Sequence, residues 1–238
     1  DAWTRDHGPV FVQTDAGPSV VDLPYNAWGG KFPPWEDDDR VAGRVSELRN
    51  LPCHRFPMFG EGGGLESDGQ GTLLVTESVW LNPNRNPGVS SRDLEEAFRR
   101  AFGSEEVIWL RGGMALDDTD GHIDTLARFV CPGTVMAACP LREDPDYVQL
   151  MQNREQLAAT LEVVDLPHPG MPDRPASYLN ALFLNGAVLV PVYGCPQDEQ
   201  ACACYREYFP DREVVPVPSA VFVEAGGAVH CLTQNEWA

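Results

Sequence analysis

An α/β fold built by repeating one small unit around a centre is what the sequence predicts, on three observations. Apolar, β-branched runs alternate with amphipathic stretches along the chain. A Gly- or Asx-rich turn bearing polar residues leads into a strand at Asp6, Glu61, His122, Asn180 and Cys231, with a helix in most intervals. Those intervals are about fifty to sixty residues, and radial repetition of the unit would bring the turns to one centre. An open doubly wound sheet is the alternative arrangement of the same alternation.

Taken in order, residues 1 to 12 end in a strand after the Gly8-Pro9 turn, which leaves Asp6 at the strand's entrance. Asn26-Ala-Trp-Gly-Gly30 and Pro33-Pro34-Trp35 are too rich in Gly, Pro and Trp for regular structure and read as a long ordered loop. Asp37 to Asp39 open an amphipathic helix to about Leu48, with acids at the positive end of its dipole. Glu61-Gly-Gly-Gly64 precedes a hairpin turning at Asp68-Gly69. Leu81-Asn-Pro-Asn-Arg-Asn-Pro87 is a loop of Asx and Pro turns, Ser90-Ser91 caps a helix to Phe102, and Val107 to Leu110 is a strand.

Further strands are expected at 125–130, 134–139, 161–166 and 187–192, and helices at 146–157 and 197–209. Val214 to Val223 reads as one buried strand, after which Gly226-Gly227 lets the backbone turn before Val229-His230-Cys231-Leu232. On a strand His230 and Cys231 would face opposite ways, so a base for the thiol is sought elsewhere. If 122 to 124 is extended, His122 and Asp124 share one face.

The 238 residues suffice for one large or two small domains and a sizeable core, with 43% hydrophobic and 22% charged residues as in ordinary globular proteins. A net charge of -19 repels phosphate, which argues against nucleic acid or an anionic membrane face and favours cationic ligands. No apolar run is long enough to span a bilayer and no signal peptide is visible. Seven cysteines, an odd number without framework spacing, suggest thiols and a reducing cytoplasm. HEXXH and paired CxxC spacings are absent, so neither a metal nor another cofactor is expected.

Singly, the polar residues have bland explanations. Cys231 is a packed small hydrophobe, Asp6 a turn cap, Glu61 a hairpin acid and His122 a satisfied core histidine. Their company changes this. Trp3-Thr-Arg-Asp-His-Gly-Pro9, Asn26-Ala-Trp-Gly-Gly30, Glu61-Gly-Gly63, Leu81-Asn-Pro-Asn-Arg-Asn-Pro87, Asp117-Asp-Thr-Asp-Gly-His-Ile-Asp124, Ala176-Ser-Tyr-Leu-Asn180 and Gly226-Gly-Ala-Val-His-Cys-Leu-Thr-Gln234 resemble, in order, the motifs of agmatine deiminases and the related Porphyromonas-type peptidylarginine deiminases.

The resemblance implies a pentein-type fold, a five-bladed αβ propeller with pseudo-fivefold symmetry and its site on the axis. Family members carry about one further blade before the Trp-x-Arg-Asp motif. The sequence begins inside that motif without Met, so the first blade is expected to be missing or incomplete, and 1–238 is expected to be a single catalytic domain. The implied chemistry is hydrolysis of agmatine to N-carbamoylputrescine and ammonia in polyamine metabolism. Cys231 would be the nucleophile, His122 the acid and base, Asp6 and Asp124 the guanidinium ligands, and Glu61 the carboxylate behind the histidine. Trp3 and Asn180 would line the pocket and Asp118 would meet the far ammonium.

His7, His54, His168 and His230 are expected to be structural or surface residues, and the remaining six cysteines to be packing. The resemblance suggests a homo-oligomer. A peptidylarginine deiminase, an amidinotransferase and a non-catalytic polyamine or guanidine binder are the other readings.

Overall fold

The computed structural model describes residues 1–236, with Trp237 and Ala238 outside it. It contains one unit four times. Each copy is a three-stranded sheet in which an antiparallel pair is followed by a helix and a third strand parallel to the second. The first has β1 (Val10–Thr14), β2 (Gly17–Asp22) and β3 (Cys53–Arg55) with helix Val41–Arg49. The second has β4 (Glu66–Ser67), β5 (Thr72–Thr76) and β6 (Glu106–Leu110) with helix Ser91–Phe102. In the third, β7 (Ala127–Cys131), β8 (Thr134–Cys139) and β9 (Glu162–Pro167) surround helix Tyr147–Ala158. In the fourth, β10 (Leu182–Phe183), β11 (Ala187–Val192) and β12 (Glu213–Pro218) surround helix Asp198–Tyr208.

Local chemistry sets these elements. Asp68 accepts from the backbone of Gln70 and Thr72 to close the β4–β5 turn. Ser90 and Asp93 form a reciprocal capping box, worth about 1 kcal/mol, and Gly103 ends that helix left-handed. The middle strands β5, β8 and β11 are the apolar runs, because a strand paired on both edges and covered by a helix has little polar surface to offer.

One core unites the third and fourth units through Leu126, Met136, Leu166, Val188 and Val190; another, around Trp80, Phe98, Phe56 and Leu94, fills the first and second. Trp80 meets Phe98 edge to face at 4.8 Å, and its indole N–H donates to the Gly64 carbonyl at 2.8 Å. That bond ties the Glu61-Gly-Gly-Gly64 turn to the core.

The stretch 214–223 is not one buried strand. β12 ends at Pro218 with alternating exposure, and Ala220–Val223 is a helical turn with Val221 and Phe222 outside. Proline cannot continue the ladder, and Ser219 turns its hydroxyl back to the Val217 carbonyl. Asn26–Gly30 is likewise ordered more tightly than a loop, as a turn whose residues Ala27 to Gly30 all have positive φ.

Candidate active site

The polar turns that precede the four sheets meet, joined by the turn carrying Cys231. Asp6 lies in the helical turn Thr4–His7 before β1, Glu61 before β4, His122 and Asp124 before β7, and Asn180 before β10. His122 precedes and Asp124 lies within a 3-10 turn, Ile123–Thr125, so they do not share an extended face, yet both are fully buried.

On one side, the Asp6 carboxylate accepts from Gly63 N at 3.2 Å and from the Trp28 indole at 3.0 Å, and lies 3.5 Å from His122 Nδ1. A Cβ on Gly63 would stand 2.6 Å from His122 Nδ1 and 2.7 Å from Asp6 Oδ1, so this position admits glycine alone. His122 Nε2 is 3.3 Å from Glu61 Oε2, and both Glu61 oxygens accept from Arg85 Nε at 2.8 and 3.0 Å. Arg85 also reaches Asp120 at 2.7 Å and the Thr119 carbonyl at 2.9 Å. Sequence reasoning missed this buried arginine inside the Asn-Pro-Asn-Arg-Asn-Pro turns.

On the other side, Asp124 Oδ2 accepts from Asn180 Nδ2 at 3.0 Å and lies 2.7 Å from His230 Nδ1. Asn180 Nδ2 also donates to Cys231 Sγ at 3.0 Å, and the thiol points at Asp124 Oδ2 from 3.5 Å. Asp124 Oδ1 is buried without a partner. His230 is therefore neither a surface residue nor turned away from Cys231's surroundings. The chain at 228–232 runs as turns, so the strand rule of opposite faces does not govern it.

Charge follows geometry. Burial pushes the Asp6 carboxyl up to about 6, against the pull of His122. Burial opposes charge on His122, but Asp6, Glu61 and Asp124 raise it to about 9, so it is an imidazolium at neutral pH. Burial alone would also raise Glu61, yet Arg85 and His122 hold it below its ordinary value. Burial, with the charges of Asp124 and Asp6, lifts the Cys231 thiol well above its usual range, so it rests protonated.

Of these groups Asp6 and Cys231 line a cavity of about 240 Å³, together with Trp3, Trp28, Phe32 and Asp118 among others. Trp3 is half-buried and packs on Gly227, where a Cβ would stand 2.6 Å from its ring. Asp118 is exposed, and its carbonyl accepts from Lys31 at 2.6 Å. A larger cleft of about 820 Å³ beside β1 and the β4–β5 hairpin has no cysteine or histidine in its walls. Among the described residues no group of three or more Cys, His, Asp or Glu is placed to hold a metal, all seven cysteines are unpaired, and no helix is long and apolar enough to cross a membrane.

Comparison with known proteins agrees over the whole described chain. Residues 1–236 match the Porphyromonas-type peptidyl-arginine deiminase family. An agmatine deiminase of Pseudomonas aeruginosa (strain LESB58) is 36% identical over 273 residues, covering 99% of this chain and 74% of that protein. The structure of an agmatine deiminase of Enterococcus faecalis superposes with a TM-score of 0.92 at 32% identity, over 98% of this chain and 73% of that one. A dimethylarginine dimethylaminohydrolase shares the fold alone, with a TM-score of 0.56 at 15% identity over 97% of this chain and 76% of that one. On sequence and on structure alike, the chain belongs to the Porphyromonas-type peptidyl-arginine deiminase family.

Proposed function

We propose that this chain, acting as one catalytic domain, hydrolyses agmatine to N-carbamoylputrescine and ammonia through a covalent bond to Cys231. The observation that carries it is a thiol beside one oxygen of a buried carboxylate whose other oxygen has no partner, with a second carboxylate and an imidazolium close by. A guanidinium is planar and permanently cationic, so carboxylates bind it through paired N–H bonds and fix its plane. Asp6 and Asp124 are those carboxylates. The incoming cation also offsets the charges that keep Cys231 protonated, so the thiolate forms when substrate is present.

The Cys231 thiol gives its proton to solvent water in the cavity as the substrate cation arrives, and Sγ bonds to the guanidine carbon to give a tetrahedral adduct. His122, already protonated, gives its proton to the leaving nitrogen, the C–N bond breaks and ammonia departs from a thiouronium. Water then attacks the same carbon while His122 takes a proton from it, and the C–S bond breaks to release the urea product. Glu61, fixed by Arg85, keeps the imidazolium in place; Asn180 orients thiol and carboxylate; Trp3 walls the cavity.

Asp118, at the cavity mouth, suits the far ammonium of agmatine better than the backbone of a peptide, which favours agmatine over peptidylarginine. A small cationic guanidine is then the partner. The test is ammonia release from agmatine, arginine and a peptide with an internal arginine, beside Cys231→Ala. Turnover of agmatine, abolished in the variant, supports the proposal. Release only from the peptide makes the chain a peptidylarginine deiminase, and release from none leaves a binding protein.

A further inference from the structure

The chemistry above uses one buried imidazole and leaves another without a task. His230 is 4% exposed, with Nδ1 at 2.7 Å from Asp124 Oδ2. Burial, with Arg128, Arg5 and His122 around it, holds it well below the ordinary histidine value, so it is neutral. A neutral imidazole has a single N–H, and facing a carboxylate oxygen at that distance the hydrogen belongs on Nδ1.

Asn180 Nδ2 donates to the same oxygen, while the Asn180 amide oxygen accepts from the backbone N–H groups of His230 and Cys231 at 3.1 and 3.3 Å. Oδ2 is thereby saturated from within the protein, and rotating the carboxylate would break two bonds at once. Oδ1 stays buried and unpartnered.

The choice of donor matters. Glu61 is held by Arg85, a cation, and its charge is spent on that partner. The donors that hold Asp124 are neutral, so its negative charge is offset only through the field of His122, Arg128 and Arg5 and not by a cation in contact with it.

We propose that His230 is a positioning residue. Its Nδ1–H, together with Asn180, locks Asp124 in one orientation and keeps Oδ1 as an anionic acceptor for an amidinium or guanidinium N–H. This rests on Asp124 being a guanidinium ligand, as proposed above.

The test compares alkylation of Cys231 by a 2-haloacetamidinium cation with alkylation by the isosteric neutral 2-haloacetamide, followed by mass spectrometry. In both, Sγ bonds to the methylene carbon, halide leaves and the thiol proton goes to buffer; only the cation meets Asp124. The full chain should prefer the cationic reagent. His230→Phe should lose roughly 10- to 100-fold of that preference, the worth of one hydrogen bond to a charged group, with the neutral reagent unaffected. His230→Asn, whose amide N–H can replace Nδ1–H, should keep it.

Equal loss in the Asn and Phe variants, an unchanged preference in Phe, or slowing of both reagents together would overturn the proposal. If the Phe variant does not fold, ¹⁵N spectra of the unaltered protein decide instead, because a His230 Nδ1 without a proton is incompatible with donation. An amidinium preference without agmatine turnover would support the role of His230 while sinking the substrate assignment.

Discussion

Asp6 and Asp124 are both fully buried carboxylates in one site, but they are held by opposite means. Asp6 has both oxygens occupied, by Gly63 N and the Trp28 indole, and stands beside the His122 imidazolium. Asp124 is gripped through one oxygen by the neutral donors Asn180 and His230, with the thiol pointing at that same oxygen. On the proposed chemistry both meet the guanidinium, but the first also sustains the His122 charge, while the second keeps an unpartnered oxygen for the ligand. Burial costs each some of its acidity and the His122 imidazolium pulls both back, joined for Asp124 by Arg128 and Arg5; the difference is that only Asp124 keeps an unpartnered oxygen for an arriving cation.

Removing each charge isosterically separates the two roles. Asp124→Asn should lower kcat/KM for agmatine about 10³-fold, from two charged hydrogen bonds lost to the guanidinium. The same variant should denature at higher urea concentration than the unaltered protein, because it removes a charge that burial disfavours. A fall in both activity and stability would contradict the contrast.

Glu61→Gln tests the charge-matched side. It strands a wholly buried Arg85 and should destabilise by about 3–5 kcal/mol in urea unfolding. A loss comparable to an exposed pair would show that Asp120 and Thr119 already suffice for Arg85.

The pH dependence sharpens the comparison further. The proposed deimination requires Asp6 ionised and His122 protonated, so kcat/KM should be bell-shaped with limbs near 6 and 9. For stability, His122 is raised in the folded state, so its contribution is complete below about 6.5 and is lost as pH climbs through about 9. Asp6 is also raised, so stability falls as pH rises from about 4 to about 6, where the unfolded chain ionises more readily. Asp6→Asn should remove a principal support of the imidazolium and move the alkaline limb of the rate profile to lower pH.

The smallest effect is expected at the mouth. Asp118 is exposed, so Asp118→Asn should raise KM for agmatine only a few-fold, roughly the worth of a screened ion pair, and leave a simple alkylguanidine unaffected. An equal change for both substrates would remove Asp118 from any role at the ammonium.

Much of this was legible in the sequence because it is local. The polar turn before each strand, the Ser90 cap and the hairpin at Asp68-Gly69 are short-range signals, and the order of the turns carried the family likeness. What escaped depends on partners far along the chain. Arg85 sits among Asn and Pro and looks like an exposed turn residue; only its pairing with Glu61 reveals it. His230 was set aside by a strand rule that fails where the backbone turns. Proline at 216 and 218 could have warned that the run 214–223 would not stay extended as a buried strand.

The turn carrying Cys231 is fastened to residues 4–9, far from it along the sequence. Thr4 donates to the Leu232 carbonyl across 228 residues, Arg5 N to the Cys231 carbonyl, Arg5 to Asn235, and Gln234 to the Pro9 carbonyl. Contacts of such separation carry the largest loop-closure cost and tend to form late. During synthesis the four sheets can therefore take shape while Asp6 still lacks its thiol. Cys231 would reach Asp6 only when the 228–235 stretch emerges and docks on the Thr4–His7 turn.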